Sequence, residues 1–86
     1  MEEKIISAEI SFYPLRSSDY IHEIEKVISI IKDSNLDFQV NAFSTIISGP
    51  NEQVISLIRK IVLEMDKVSK FVLVAKISNL CGCEVE

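Results

Sequence analysis

The sequence predicts an α+β sandwich: one antiparallel sheet of four strands with two helices on one of its faces. Three observations predict it. Residues 5–13 and 70–78 alternate apolar and polar side chains residue by residue, the segments from Ile21 to Ile31 and from Val54 to Met65 repeat apolar side chains at helical spacing, and two short β patterns joined by a turn lie between the helical segments.

In the first segment Ile6, Ala8, Ile10 and Phe12 share one face, and Ser7, Glu9, Ser11 and Tyr13 share the other. A period of two is the mark of a half-buried strand. Pro14 lacks an amide donor and is expected to end the ladder. A short loop then leads to Ser18 or Asp19 as a helix N-cap. Ile21, Ile24, Val27, Ile28 and Ile31 form the apolar stripe of the first helix. Ser34-Asn35 is expected to stop it, because Asn tolerates the left-handed conformation common just past a helix C-terminus.

Residues 36–41 read as a second strand, Asn41-Ala42 as a turn, and the next segment as a third strand ending at Ser48-Gly49. Pro50-Asn51 opens the second helix, with Asn51 placed to cap and Glu52 placed to favour the positive end of the helix dipole. Val54, Leu57, Ile58, Ile61 and Met65 form its stripe, and Ile55 and Val62 widen it. A stripe that wide implies extra burial. The last strand sets Phe71, Leu73, Ala75 and Ile77 against Val72, Val74, Lys76 and Ser78.

This order of elements is ferredoxin-like, and it makes the first and last strands neighbours. Ile6, Ala8, Ile10, Phe12, Phe71, Leu73, Ala75 and Ile77 are then expected beneath the helices. The opposite face, with Tyr13, Val72 and Val74 among polar groups, would be an unusual patch if left bare. Packing it against the same face of a second subunit is the natural solution, so a homodimer is expected. No internal repeat supplies that partner face within the chain.

Eighty-six residues make a single domain, residues 1–86, with residues 79–86 as a tail. A chain of this size buries only about 60 to 65% of its unfolded surface, so association would help it. Fourteen Ile and no Trp point to a core of branched aliphatics. The net charge of −4, with no Lys/Arg run, excludes the electrostatic footprint of a nucleic-acid binder. No apolar run approaches the roughly 20 residues of a membrane span, and no secretory leader pattern is present. A cytoplasmic protein is expected.

Cys81-Gly82-Cys83 reads as a tail with incidental thiols, because a metal site needs more ligands than two cysteines so close together. His22 has no Cys or second His at ligand spacing and reads as a solvated helix residue. Lys76 is expected across from Glu9 on the open face, as a salt bridge.

The segment Ala8-Glu9-Ile10-Ser11-Phe12-Tyr13-Pro14-Leu15 resembles the first-strand signature of the YkoF-like family of thiamine-binding proteins. Phe43-Ser44-Thr45-Ile46-Ile47-Ser48-Gly49, followed by an acidic helix start, is similar to that family's third-strand segment. The likeness covers residues from about 5 to 78, and the tail after Asn79 looks like the glycine- and cysteine-containing stretch after the fourth strand of one family repeat. Some relatives carry two repeats that pair internally, which a single-repeat chain would match by dimerising. Many single-repeat relatives continue with a further charged segment and a short helix, whereas this chain stops at Glu86. A homodimer is therefore expected, with the homotetramer of some relatives as the alternative.

The resemblance implies a binding protein for thiamine or its hydroxymethylpyrimidine moiety, with no cofactor. It carries Ser11, Ser44 and Thr45 over as pocket residues. Strand faces add Glu9 as a carboxylate for an amine or a cation, and Tyr13 and Phe43 as aromatic plates. Alternation sets Ser44 and Thr45 on opposite faces, so only one of them faces a ligand unless a bulge intervenes. Few basic residues lie near these positions, so an unphosphorylated ligand is expected.

No paired acid and base, nucleophile–histidine pair or phosphate-binding glycine loop supports catalysis. Acylphosphatase shares the order of elements, but here Pro14-Leu15 stands where its glycine-containing loop would be, before Arg16. The expected function is non-catalytic binding. The alternative is a structural or regulatory oligomerisation module with a different ligand or none.

Overall fold

The computed structural model describes residues 4–16 and 18–80. Its elements are β1 (Ile5–Leu15), α1 (Tyr20–Asp33), β2 (Asp37–Val40), β3 (Thr45–Pro50), α2 (Asn51–Asp66) and β4 (Lys70–Ser78). The strands form one antiparallel sheet in the order β2-β3-β1-β4. This is the ferredoxin-like βαββαβ sandwich expected from the sequence. Cys81 and Cys83 lie outside the described residues.

Pro14 does not end the first ladder. It pairs with Phe71 of β4, and β1 continues to Leu15 opposite Lys70. The β1–β3 pairing stops at Ile10 opposite Thr45, so Pro14 sits where the strand is paired on one side only, a position that tolerates a missing donor. Arg16, just beyond, has a left-handed backbone (φ 54°) that turns the chain toward α1.

Both helix starts are built differently from the expectation. Asp19 holds the N-cap position of α1 but makes no side-chain cap bond; its carboxylate meets His22 Nδ1 at 2.7 Å. Pro50, not Asn51, holds the N-cap position of α2. Asn51 is its first helical residue and donates its backbone N–H to the Lys4 carbonyl at 2.8 Å. The end of α1 follows the sequence: Ser34 Oγ donates to the Ile31 carbonyl and accepts from the Leu36 N–H, and Asn35 is left-handed at φ 63°.

The core lies between the sheet and the helices. Ile6, Ala8 and Ile10 of β1 and Ile47 of β3 meet Val27, Ile30 and Ile31 of α1 and Val54, Leu57, Ile61 and Met65 of α2. Phe12 and Phe71 extend it as a tilted ring pair with centroids 5.1 Å apart.

Several residues expected inside are outside. Ile21 (58% exposed) and Ile24 are exposed on α1, while Ile30, absent from the expected stripe, is buried. Ile24 and Ile28 border a cleft with the Asn41–Ser44 turn, whose backbone closes from Asn41 N–H to the Ser44 carbonyl at 2.7 Å, while Glu23 in the first turn of α1 accepts a hydrogen bond from Ser69 Oγ just before β4. Ile55 and Val62 of α2 and Ala75 and Ile77 of β4 are exposed because β4 is the outermost strand and α2 does not reach across it.

Gly49 is required by a close approach. A Cβ there would stand 2.7 Å from Leu36 Cδ2. Leu36 borders a cleft between α1 and α2 and has room to yield. Gly49→Ala is therefore expected to cost about 1 kcal/mol, near the lower end of overpacking penalties, read as a lower urea midpoint at unchanged slope.

Candidate functional site

The sheet divides the candidate residues into two groups. Pairing of Glu9 with Ile46 and Lys76, and of Ser11 with Val74, places Glu9, Ser11 and Tyr13 on the face away from the helices. Pairing of Thr45 with Ile10 places Thr45 on the helix side. The two faces do different chemistry.

On the open face Ser44 Oγ donates to Glu9 Oε2 at 2.9 Å. Lys76 Nζ lies 3.8 Å from Glu9 Oε1, which is the expected salt bridge at long range and in solvent. Such exposed pairs contribute about 0 to 1 kcal/mol. Ser7 and Ser48 share a hydrogen bond at 2.8 Å across β1 and β3. Ser7, Glu9, Ile46, Lys76 and Ser78 border a shallow groove of about 220 Å³. Ser11 Oγ donates to the Phe43 carbonyl at 3.3 Å and so ties the β2–β3 turn to the central strand.

On the helix side a cleft of about 160 Å³ opens between α1 and the β2–β3 hairpin. Ile10, Phe12, Ile24 and Ile28 give it apolar walls, and Asn41, Phe43 and Thr45 lie at the hairpin side. Among the described residues no charged side chain lines it. Thr45 is only 7% exposed, yet its hydroxyl makes no hydrogen bond among the described residues, and no fully enclosed side-chain polar atom there lacks a partner. Thr45 borders the cleft as one of its few polar residues. Phe43 is 91% exposed at the mouth.

Thr45 and Phe43 thus share the cleft, while Glu9, Ser11 and Tyr13 stand on the other side of the sheet. Ser44 joins the two, since it borders the cleft but turns its hydroxyl to Glu9. Asn41, Ile24 and Ile28 were not among the expected site residues. Asn41 read only as a turn residue, and the two isoleucines read only as core. His22 is apart from both faces; the Asp19 carboxylate bonded to it raises its pKa above the ordinary value, with attraction from Asp19 and Glu25 adding to the shift. Among the described residues no group of His, Cys, Asp and Glu gathers to hold a metal ion. No described helix is long and apolar enough to cross a membrane.

Residues 8–82 match the sequence model of the family described as thiamine-binding protein. The chain belongs to that family. The thiamine-binding family model spans both faces just described, from Ala8 in β1 to beyond β4.

Solved structures give this thiamine-binding family member the same fold. A Thermotoga maritima protein described as acting in thiamine biosynthesis or salvage superposes with a TM-score of 0.79 at 17% identity, over 86% of this chain and 82% of that one. A Streptococcus pneumoniae protein superposes with a TM-score of 0.85 at 17% identity, over 94% and 92% of the two chains. A hypothetical protein of Methanocaldococcus does so with a TM-score of 0.77 at 21% identity, over 92% and 84%. No protein of curated function matches the sequence.

Proposed function

We propose that this chain binds the hydroxymethylpyrimidine moiety of thiamine, free or within unphosphorylated thiamine, in the cleft between α1 and the β2–β3 hairpin. It does so without catalysing a reaction, as a YkoF-like cytoplasmic protein that buffers or delivers the compound. The observation that carries this reading is the fit of the cleft to one neutral ring. Its volume of about 160 Å³ is close to the roughly 150 Å³ of a protein cavity that takes up benzene. An uncharged lining disfavours a phosphate or a buried cation, so the charged thiazolium half of thiamine stays outside. Thr45 Oγ and the Asn41 carboxamide supply donors and acceptors for ring nitrogens and the exocyclic amine, and Phe43 supplies an aromatic plate at the mouth.

Family membership and the thiamine biosynthesis or salvage role ascribed to the Thermotoga maritima protein support the ligand class. The open face, with Tyr13, Val72 and Val74 each exposed, is the proposed homodimer contact. Glu9 favours a second placement of the ligand. Its carboxylate in the groove beside Ile46 suits a cationic ring that a partner subunit would cover.

Isothermal titration with hydroxymethylpyrimidine and with thiamine separates the two placements. The cleft reading expects saturable binding of the pyrimidine alone, one per chain, with thiamine no more than about tenfold tighter. Binding of thiamine alone, lost in Glu9→Gln, would move the site to the open face. No heat from either compound would leave the alternative of an oligomerisation module without this ligand.

A further inference from the structure

The β2–β3 turn forms one wall of the cleft, and side-chain packing does little to fix it there. Phe43 stands almost wholly exposed at the mouth, with Asn41 and Ala42 exposed beside it. The backbone bond from Asn41 N–H to the Ser44 carbonyl closes the turn on itself. That bond sets the shape of the turn, not its distance from α1.

The ladder does not set that distance either. Pairing of β1 with β3 stops at Ile10 opposite Thr45, just short of the turn. Beyond this point side chains take over from backbone. Ser44 Oγ donates to Glu9 Oε2 at 2.9 Å, and Ser11 Oγ donates to the Phe43 carbonyl at 3.3 Å. The turn is thus tied to β1 at two successive residues. Lys76 Nζ stands beside the other oxygen of Glu9, Oε1, and leaves Oε2 to Ser44. Glu9 and Ser11 both lie on the face away from the helices, so neither can touch a ring held in the cleft.

We propose that Glu9 and Ser11 are positioning residues for the cleft: from the far side of the sheet they hold the β2–β3 turn, and with it Phe43 and Asn41, at the spacing from α1 that admits one flat neutral ring. The proposal rests on the cleft placement of the ligand argued above. When either tie is cut, the turn spends part of its time displaced from Ile24 and Ile28, and apparent affinity falls with the fraction of time in the competent arrangement. The ties are partly in solvent, where a hydrogen bond contributes modestly, so a loss of about three- to tenfold is expected for each.

The role makes a chemical demand that direct contact would not. Residue 9 must offer an acceptor oxygen to Ser44 but need not be charged, and residue 11 must offer a hydroxyl donor. Glu9→Gln and Ser11→Thr keep these groups, whereas Glu9→Ala and Ser11→Ala remove them. A carboxylate that met a cationic ring directly would fail in Glu9→Gln as it does in Glu9→Ala.

Amide exchange at Asn41 without ligand and isothermal titration with hydroxymethylpyrimidine, on the same full-chain variants, test this. Exchange at Asn41 is expected to quicken about three- to tenfold in Glu9→Ala and Ser11→Ala, and Kd to rise by a similar factor. Exchange at Ile47, in the middle of the sheet, is expected to stay at the wild-type rate and shows that the fold is intact. Glu9→Gln and Ser11→Thr are expected to match the wild type in both readouts. Wild-type exchange at Asn41 in both alanine variants would overturn the proposal, as would equal losses of affinity in Glu9→Gln and Glu9→Ala. A wild type that binds neither hydroxymethylpyrimidine nor thiamine would remove the ligand reading alone. The hold on the turn is then decided by exchange: faster exchange at Asn41 in the alanine variants upholds it, and unchanged rates overturn it.

Discussion

Ile47→Ala is expected to lower the unfolding free energy by about 2 to 5 kcal/mol. Ile47 lies in β3 between Ala8 of β1 and Phe38 of β2, and it is wholly buried beneath the helices. Truncation there removes three carbons from a site that backbone holds open on both sides, so little collapse can fill the space. A domain of this size has about 4 to 13 kcal/mol in total, so the loss is a large share of it. Each kcal/mol lowers Tm by about 4 to 8 °C, which thermal denaturation resolves easily. Ile21→Ala is the matched control: the same change on the 58% exposed face of α1 is expected to cost less than about 0.5 kcal/mol. Equal losses at the two positions would mean that Ile21 is buried as Ile47 is, contrary to its exposed place on α1.

Thr45→Val is expected to weaken hydroxymethylpyrimidine binding by on the order of ten- to a hundredfold while changing stability by less than about 1 kcal/mol. The side chains have nearly the same shape, and the Thr45 hydroxyl bonds to no described residue. Folding therefore loses little when it is removed. A bound ring would lose its partner and bury an unsatisfied polar atom, which costs about 1 to 3 kcal/mol. Isothermal titration and urea denaturation on the same preparation give both numbers. Unchanged affinity with lowered stability would make Thr45 a core residue and remove the cleft from consideration. Glu9→Gln is the counter-test, since the sheet separates Glu9 from the cleft and the variant should leave pyrimidine affinity unchanged.

The contrast between Thr45 and Ser44 shows how far the candidate site was legible. Alternation alone separated the two hydroxyls onto opposite faces, and the structure has Thr45 under the helices and Ser44 bonded to Glu9. Which face carries a cavity was not legible. The cleft is bounded by α1 and by the β2–β3 turn, which are brought together only by the packing of the helix on the sheet. Asn41 and Ile24 gained their places in the cleft from that packing, and no local pattern marks it.

Local chemistry determined the order of six elements, the faces of β1 and the left-handed stop at Asn35. Each follows from a side-chain period or a backbone preference that acts over a few residues. Tertiary structure decided which apolar side chains are covered. Ile77 and Ile55 have the same periodic standing as Ile10 and Ile61, yet they are exposed because β4 is the last strand of the sheet and α2 lies inboard of it. Periodicity reports the direction in which a side chain points; burial depends also on what lies there, and that is fixed by the relative lengths and positions of elements far apart in the chain.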